Sequence, residues 1–120
     1  MWLCTTDGFY SIVLKDGPAD RPFCVRGRVK NDLKNFLNII NKNHYQVFNS
    51  DRSDYRYRSF IGLDDFKNFF VYQAENLNYN NFKNAISEKE SSHLRAHIYM
   101  DVWSTLFDLR DIDDKDILNG

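Results

Sequence analysis

The chain opens with the sequence WLCTTDGFYSIVLK (residues 2–15). Within it, two runs rich in β-branched and aromatic residues, 2–6 and 9–15, flank the dipeptide Asp7-Gly8. Runs of this kind separated by Asp-Gly predict a β-hairpin with a type I′ turn, in which the glycine takes a positive φ. We therefore expect an antiparallel sheet to be the foundation of the fold.

Three further strands follow the hairpin. A loop over residues 16–22 contains both prolines of the chain, which is typical of an irregular connection. Side-chain alternation and the content of β-branched and aromatic residues predict strands over residues 23–29, 44–49 and 55–62. In the last strand, the side chains expected on the face opposite its arginines are Tyr55, Tyr57 and Ile61.

Three helices are predicted from apolar residues that recur every three or four positions. The first begins at a capping Asn31, and its inward residues are Leu33, Phe36, Leu37 and Ile40. The second runs from a capping Asp64 to Leu77, and its inward residues are Phe66, Phe69, Phe70, Ala74 and Leu77. The third covers residues 91–109.

The third helix carries two apolar stripes. The first consists of Leu94, Ile98, Val102, Leu106 and Leu109. The second consists of Tyr99, Trp103 and Phe107. Together the stripes offer more apolar surface than contact with one core requires, so this helix is predicted to form part of a subunit interface.

The order of these elements indicates the fold class. Strands joined by hairpins come first, and the last helices are grouped at the end of the chain. This order predicts an α+β fold, with an antiparallel β-sheet built from hairpins and packed on one side by about three helices. A length of 120 residues fits one domain, which we expect over residues 1–109. Residues 110–120 are expected to form a short acidic tail.

Composition argues against several classes of protein. Hydrophobic residues make up 42% of the chain and aromatic residues 16%, which argues against wholesale disorder. A net charge of −1 argues against a general nucleic-acid coat, so we expect no long nucleic acid as a partner. No apolar run approaches the roughly 20 residues that cross a bilayer. We therefore expect no membrane partner and a soluble protein that is not exported.

Signals for catalysis and for metal binding are weak. The sequence has no glycine-rich phosphate loop. His93 and His97 have the spacing of a two-histidine metal site, but no third ligand accompanies them, so neither a metal nor another cofactor is expected. Cys4 and Cys24 lie in predicted strands rather than at a helix N-terminus, and we expect both to be reduced and buried. The sequence therefore does not predict an enzyme.

Arginines are concentrated on two of the predicted strands. Arg26 and Arg28 share one strand face, and Arg56 and Arg58 share another. If these strands are neighbours, four guanidiniums line one patch, and a guanidinium binds pairs of phosphate oxygens and stacks on aromatic rings. The alternative is a solvated sheet face that is neutralised by carboxylates. The carboxylates available for this are Asp51, Asp54 and those of the acidic tail.

A second candidate site lies at the break between helices, where residues 78–84 read NYNNFKN. In this segment Tyr79 and Phe82 are embedded among amides such as Asn81. An aromatic side chain in a polar loop stacks on a base, while amides hydrogen-bond the edge of the base. The alternative is that Phe82 anchors the next helix in the core. Arginines together with this segment suit a small phosphate-bearing ligand better than a long polymer.

Several stretches of the sequence are familiar in combination. They are MWL (1–3) leading into GFYS (8–11), DYRYR (54–58), NYNNFK (78–83) and Trp103. Together they resemble the first-described group of anti-Thoeris proteins, which are small proteins of phages and prophages, and the resemblance covers most of the chain. Proteins of that group act as sponges: they sequester, without degrading it, the cyclic ADP-ribose-type signal that a bacterial TIR-domain enzyme makes on infection.

The resemblance implies a non-catalytic function in the cytoplasm of the infected bacterial host. It also implies a small cyclic nucleotide ligand and a homo-oligomer (a dimer or an assembly of dimers) with nucleotide pockets at subunit boundaries. Some members hold cyclic di- or trinucleotides at separate sites. The resemblance matches Phe82 to an adenine-stacking aromatic and Arg28 to an arginine at a phosphate. The remaining candidate ligand-binding residues, which rest on the chemistry above, are Arg26, Arg56, Arg58, Asn81 and Tyr79.

Three other functions are compatible with the sequence. The first is an anti-CRISPR-like or other host-takeover protein that acts by protein–protein contact through its acidic tail, so deletion of residues 110–120 abolishes its activity. The second is a small RNA-binding domain that uses the strand arginines and Tyr57, which predicts steep salt dependence. The third is a nucleotide hydrolase, which returns its ligand chemically altered.

Overall fold

The computed structural model describes residues 1–89 and 93–112. Within them the sheet has five antiparallel strands in the order β1-β2-β3-β5-β4. The strands are β1 (Trp2–Cys4), β2 (Phe9–Leu14), β3 (Phe23–Gly27), β4 (Phe48–Asn49) and β5 (Tyr57–Ile61). The helices are α1 (Lys30–Ile39), α2 (Leu63–Glu75), α3 (Phe82–Lys89) and α4 (Leu94–Leu106), and a 3₁₀ turn (Phe107–Asp111) follows α4. This architecture confirms the predicted α+β class.

The contacts of the chain divide it into two compact units. Unit 1 is Met1–Asn78 and contains the sheet, α1 and α2. Unit 2 begins at Tyr79 and contains α3, α4 and the 3₁₀ turn. The single domain expected over residues 1–109 stays a prediction, and most of the acidic tail expected over residues 110–120 lies outside the described residues.

The core of unit 1 is formed by one face of the sheet together with α1 and α2. Its buried side chains are Tyr10, Ile12, Val25, Leu33, Phe36, Leu37, Ile40, Ile61 and Phe69. The ring centroids of Phe36 and Phe69 lie 4.0 Å apart in a stacked arrangement. All the inward residues predicted for α1 belong to this core, which confirms the interpretation of their spacing.

The hairpin is confirmed, but its turn is not of the predicted type. The paired ends of β1 and β2 leave residues 5–8 for the turn, and Gly8 does not have a positive φ. Instead, Thr5 Oγ1 accepts hydrogen bonds from the backbone N–H groups of Asp7 at 3.1 Å and Gly8 at 3.2 Å. A Cβ at Gly8 would lie 2.6 Å from Cγ of Asp32. The glycine is therefore required by close packing rather than by its conformational freedom.

Both predicted helix caps are wrong. The N-cap residue is Val29 in α1 and Gly62 in α2, and neither makes a side-chain capping bond. Asn31 and Asp64 consequently lie inside the first turns. In α1 the buried carboxylate of Asp32 accepts a hydrogen bond at 3.2 Å from the first backbone N–H of β2, and an acid at this position also favours the helix dipole. A tertiary contact thus tethers the start of this helix.

Only part of the predicted inward face of α2 is covered. Phe69 is buried and Phe66 packs against the core. Phe70 and Leu77, however, are 41% and 60% exposed, and Ala74 is also exposed. Leu77 lies beyond the end of the helix, so the helical period no longer applies to it. The apolar stripe predicted over the whole segment is therefore correct only for its first half.

All five strands are shorter than predicted, and the largest differences are in β4 and β5. β4 contains two residues, and β5 begins at Tyr57 instead of residue 55. Tyr55 precedes the strand, and its ring lies against the guanidiniums of Arg26 and Arg28. The prediction that Tyr55 faces away from the arginines is therefore wrong, because strict alternation of side-chain direction holds only inside a strand.

Cys24 is buried and Cys4 is exposed, and the two form no disulfide. The expectation that both are buried is wrong for Cys4, because β1 is an edge strand. His93 occupies the N-cap position of α4 with a φ of 57°. No group of three potential metal ligands occurs among the described residues. None of the helices in the described part of the chain has the length and apolar character needed to cross a membrane.

Candidate functional site

The arginine-bearing strands are neighbours in the sheet. β3 and β5 pair antiparallel, with Arg26 directly opposite Arg58. Side chains alternate along a strand, and Val25 belongs to the core, so these two arginines lie on the other side of the sheet. We call this surface the arginine face. Its residues are Ser11, Cys24, Arg26, Tyr55 and Arg58, and Arg28 and Arg56 follow just beyond the strand ends.

Arg26 is held by a hydroxyl group and by an aromatic ring. Its Nη2 donates a hydrogen bond to Oγ of Ser11 at 2.6 Å. Its guanidinium carbon lies 4.6 Å from the ring centre of Tyr55, and the guanidinium carbon of Arg28 lies 4.4 Å from the same ring. Tyr55 is only 7% exposed. One buried ring therefore orients two guanidiniums through cation–π contacts.

Arg58 is held in a similar way, since its Nη2 donates to Oγ of Ser53 at 2.8 Å. The Nε atoms of Arg58 and Arg26 are buried and have no hydrogen-bond partner within the described part of the chain. Neither arginine forms an ion pair with a described residue. Like charges directly opposite each other destabilise a sheet, and a buried donor without an acceptor costs about 1–3 kcal/mol. Within the described residues, the two inner arginines therefore have no carboxylate partner, and their Nε–H groups have no acceptor.

The two outer arginines, in contrast, have carboxylate partners. Nη2 of Arg28 lies 3.0 Å from Oδ2 of Asp54, and Nη2 of Arg56 lies 2.9 Å from Oδ1 of Asp51. All four side chains are about half exposed or more, so each pair adds little to stability. Neutralisation by carboxylates, the alternative considered for the whole patch, thus applies to the outer arginines. No described carboxylate pairs with the inner arginines, and most of the acidic tail included in that alternative lies outside the described residues.

A buried thiol lies beside the inner pair. Cys24 is two residues from Arg26 along β3 and faces Phe60 across the strands. Burial raises the pKa of the Cys24 thiol, and the positive charges of Arg58 and Arg26 lower it only in part. The thiol therefore stays protonated near neutral pH, which makes it a poor nucleophile.

The other predicted ligand residues lie together in unit 2. Oδ1 of Asn81 accepts a hydrogen bond from the backbone N–H of Asn84 at 3.0 Å, so this amide helps to cap α3. Phe82 is the first residue of α3 rather than part of a polar loop. Its ring stacks on Tyr99 with centroids 5.8 Å apart and an interplanar angle of 14°, and its centroid lies 5.9 Å from that of Tyr79. Phe82 therefore packs as the anchor of a helix while remaining half-buried.

The predicted ligand residues are thus grouped in two places. All the arginines belong to unit 1, whereas Tyr79, Asn81 and Phe82 belong to unit 2. The role of Tyr55 and the two serine hydroxyls was not predicted from the sequence. A signal for them was present in the segment SDYRYR (residues 53–58), where a tyrosine immediately precedes the arginine-bearing strand.

The apolar residues of α4 remain largely exposed. Among the described side chains of unit 2, the buried ones are Ile86, Ala96 and Tyr99. The exposed apolar ones are Leu94, Ile98, Met100, Val102, Trp103, Leu106, Phe107, Leu109 and Ile112. A helix that is apolar on all sides is normally covered. Exposed apolar surfaces of this kind often mark contacts with another protein, and the predicted subunit interface stays a prediction.

Comparison with protein families, with curated proteins and with solved structures gives no significant match to this chain. The residues described above are therefore the basis for assigning a function.

Proposed function

We propose that this protein is a non-catalytic sponge that binds and sequesters a small cyclic nucleotide immune signal, so that a phage evades bacterial defence. The proposed ligand is a cyclic ADP-ribose isomer or a cyclic oligonucleotide. The proposed location is the cytoplasm of the infected bacterial host. The observation that carries the proposal is the arginine face, where Arg26 lies directly opposite Arg58 of the neighbouring strand. On the same face the guanidiniums of Arg26 and Arg28 lie against the ring of Tyr55.

The chemistry of the arginine face suits phosphate groups. The planar fork of an arginine binds two phosphate oxygens at once, and Tyr55 holds two of these forks in place before a ligand arrives. Groups that are ordered in advance lose less conformational entropy when a ligand binds. The arrangement therefore supports tight binding of a small anion.

Aromatic and amide groups in unit 2 form a separate candidate region, which suits a base. A base that stacks on an aromatic side chain gains about 1–3 kcal/mol. One face of the Phe82 ring packs on Tyr99, so we propose that the other face receives the adenine and that Asn81 and Tyr79 bind its edge. We further propose that such a pocket lies at a boundary between subunits of a homo-oligomer.

Sequestration requires affinity and needs no nucleophile, general base or metal. Arginines, hydroxyl groups, amides and aromatic rings are sufficient for it, and they are the groups that line the two candidate regions. Binding without turnover therefore accounts for the residues at the site with the fewest additional assumptions.

The proposal is tested by retention of ligand on a filter that holds back the protein. The purified chain is mixed with a panel of cyclic ADP-ribose isomers and cyclic oligonucleotides, and the retained fraction is measured. Loss of one base-stacking ring predicts affinity weaker by roughly 5- to 150-fold for Phe82→Ala. Phe70→Ala, which removes a comparably exposed ring from α2, serves as the control. Equal retention by both variants and the wild type would contradict the proposed base site, and no retention by the wild type would contradict the function.

A second candidate function is that of a host-takeover protein, anti-CRISPR-like, acting by protein–protein contact. The exposed apolar surface of α4 favours it, because patches of this kind mark interaction sites. Deletion of residues 110–120 separates the two functions. A sponge keeps its ligand retention without these residues, whereas a protein that contacts a host factor through its acidic tail loses its activity.

A further inference from the structure

We infer that Arg26 and Arg58 form a subsite for one tetrahedral oxyanion, a phosphate group, held between β3 and β5. The inference rests on the proposed function only in taking the arginine face as the side that binds ligand phosphates. It assigns this one subsite to the inner pair alone, and Arg28 and Arg56, whose exposed side chains pair with carboxylates, lie outside it.

The first argument is the register of the sheet. Arg26 and Arg58 are a directly opposed cross-strand pair, which brings their Cβ atoms to within about 5 Å of each other. Two positive charges on directly opposed side chains of one sheet face repel each other unless a counterion lies between or beside them. Among the described residues no carboxylate forms an ion pair with either of them. The missing counterion is therefore the first sign of an anionic ligand.

The second argument is the pattern of hydrogen bonds, which is the same in both arginines. In each, Nη2 donates to a serine hydroxyl, Ser11 for Arg26 and Ser53 for Arg58. In each, Nε is buried without an acceptor among the described residues. Nε and Nη2 form the side-on edge of a guanidinium, and this is an edge that grips two oxygens of a phosphate. The serine hydroxyls thus occupy one half of each edge and leave the other half unsatisfied.

The third argument is that the guanidiniums are positioned by groups that do not neutralise them. Tyr55 contacts the guanidinium of Arg26 through its ring, and the two serines offer neutral hydroxyls. Such contacts restrict the orientation of the two guanidiniums and leave their positive charges uncompensated. A phosphate that turns the two side-on edges toward itself supplies the missing acceptors and the missing negative charge together.

The outer arginines provide a comparison in the same region, because both have carboxylate partners. Arg28 and Arg56 each have a carboxylate oxygen about 3 Å from Nη2. The exposed pairs with Asp54 and Asp51 are open to water, whereas the inner pair has buried donors. The difference in burial and in pairing distinguishes the inner pair as the proposed oxyanion subsite.

The test measures the melting temperature of the full-length chain in inorganic phosphate and in chloride at equal ionic strength. At ten times its dissociation constant, phosphate is expected to raise the melting temperature of the wild type by roughly 5 °C. Arg26→Gln and Arg58→Gln are expected to abolish this increase. Arg52→Gln removes one positive charge from the exposed loop nearby, and this variant is expected to show the same increase in melting temperature with phosphate as the wild type.

A second measurement shows whether the variants fold. In chloride, Arg58→Gln is expected to melt at or above the temperature of the wild type, because it removes one of two opposed charges and a buried unsatisfied donor. If Arg58 has a purely structural role, Arg58→Gln melts at a lower temperature than the wild type in chloride, and the wild type melts at the same temperature in both salts. That result would overturn the inference, and so would a phosphate shift that survives in both glutamine variants.

The inference and the proposed function fail separately. If phosphate stabilises the wild type through the inner pair but no cyclic nucleotide is retained, the oxyanion subsite stands and the sponge function is wrong. If Arg26→Gln and Arg58→Gln retain a cyclic nucleotide as well as the wild type does, the sponge function stands and the assigned subsite is wrong.

Discussion

Unit 1 and unit 2 differ in how their apolar residues are used. Unit 1 buries a continuous core whose aromatic members, Tyr10, Phe36 and Phe69, contact one another with ring centroids 4.0–5.6 Å apart. Among its described side chains, unit 2 buries three and leaves most of the apolar residues of α4 exposed. Unit 1 is therefore stabilised by a core of its own, whereas unit 2 presents an exposed apolar surface on α4.

The two candidate binding regions also differ in how they are built. The arginine face is built on paired strands, where the register fixes which charges oppose each other. The aromatic cluster around Phe82 lies at the start of a short helix, where packing on Tyr99 is the main constraint. Rigid strands suit the positioning of charges, and a surface cluster of rings suits stacking of a base.

The largest effect is expected on association. The double variant Ile98→Glu with Leu106→Glu places two charges on the exposed apolar surface of α4. We expect the wild type to be a dimer or an assembly of dimers and this variant to be a monomer, because an unpaired charge is costly in an apolar interface. Light scattering after gel filtration measures the mass. The double variant Asn31→Glu with Asn38→Glu, at exposed positions of α1, adds the same charge and is expected to keep the wild-type mass.

If the wild type is monomeric at every concentration tested, the prediction that α4 forms a subunit interface is wrong. The comparison between the units would then have to be explained by something other than self-association.

The next largest effect is expected on the free energy of unfolding. Phe69→Ala removes a fully buried ring that stacks on Phe36, and changes of this kind cost about 3–5 kcal/mol. Trp103→Ala removes a larger ring that is 51% exposed in unit 2, and it is expected to cost at most about 1 kcal/mol in the monomeric variant background. Urea titration followed by circular dichroism measures both. Similar costs at the two positions would show that the contrast in burial does not determine stability.

A smaller cost is expected at the hairpin turn. Gly8→Ala adds a Cβ that meets Cγ of Asp32 at 2.6 Å and the hydroxyl of Tyr10 at 2.7 Å, so the turn or α1 has to shift. Overpacking of this kind costs typically about 1–3 kcal/mol. Thr6→Ala, in the same turn, is the control and is expected to change the unfolding free energy by at most about 0.5 kcal/mol. If Gly8→Ala leaves the free energy of unfolding unchanged, the turn adapts to the added methyl group.

The smallest effect is expected from the thiol beside the arginines. Burial raises the pKa of Cys24 above its value in the unfolded chain, so the unfolded state loses this proton first as the pH rises. The stability is therefore fully present below the ordinary thiol pKa of about 8.5 and decreases above it, by at most about 1.4 kcal/mol for each pH unit. Melting curves between about pH 7.5 and 10 measure this decrease. Cys24→Ala is expected to flatten it, whereas Cys4→Ala, at an exposed position, is expected to leave it unchanged.

The sequence predicts unit 1 better than unit 2 for a physical reason. In α1 the apolar residues are confined to one stripe, and all of them are buried as predicted. In α4 the apolar residues surround the helix, so the pattern does not indicate which of them face inward; only Tyr99 and the small Ala96 are buried. Periodicity predicts a buried face only where polar residues mark the opposite one.

The arginine patch could be predicted in part. Alternation along the strands placed the arginines on strand faces, and the pairing of β3 with β5 joins those faces. The distinction between inner and outer arginines could not be predicted, because it depends on which carboxylates of the loop over residues 50–54 reach which guanidinium. The caps and the turn were wrong for a related reason. In α1 a tertiary contact of Asp32 takes the place of the predicted cap, and in the turn local hydrogen bonds to Thr5 Oγ1 take the place of the predicted glycine conformation.

Recovery of the bound ligand tests the central claim most directly. The protein is saturated with a cyclic ADP-ribose isomer or a cyclic oligonucleotide, washed on a filter and heated, and the released compound is identified by mass spectrometry. A sponge predicts that the ligand appears only after heating and has the mass of the compound that was added. A released compound of different mass would show that the protein is an enzyme, and the absence of any released compound would contradict nucleotide binding.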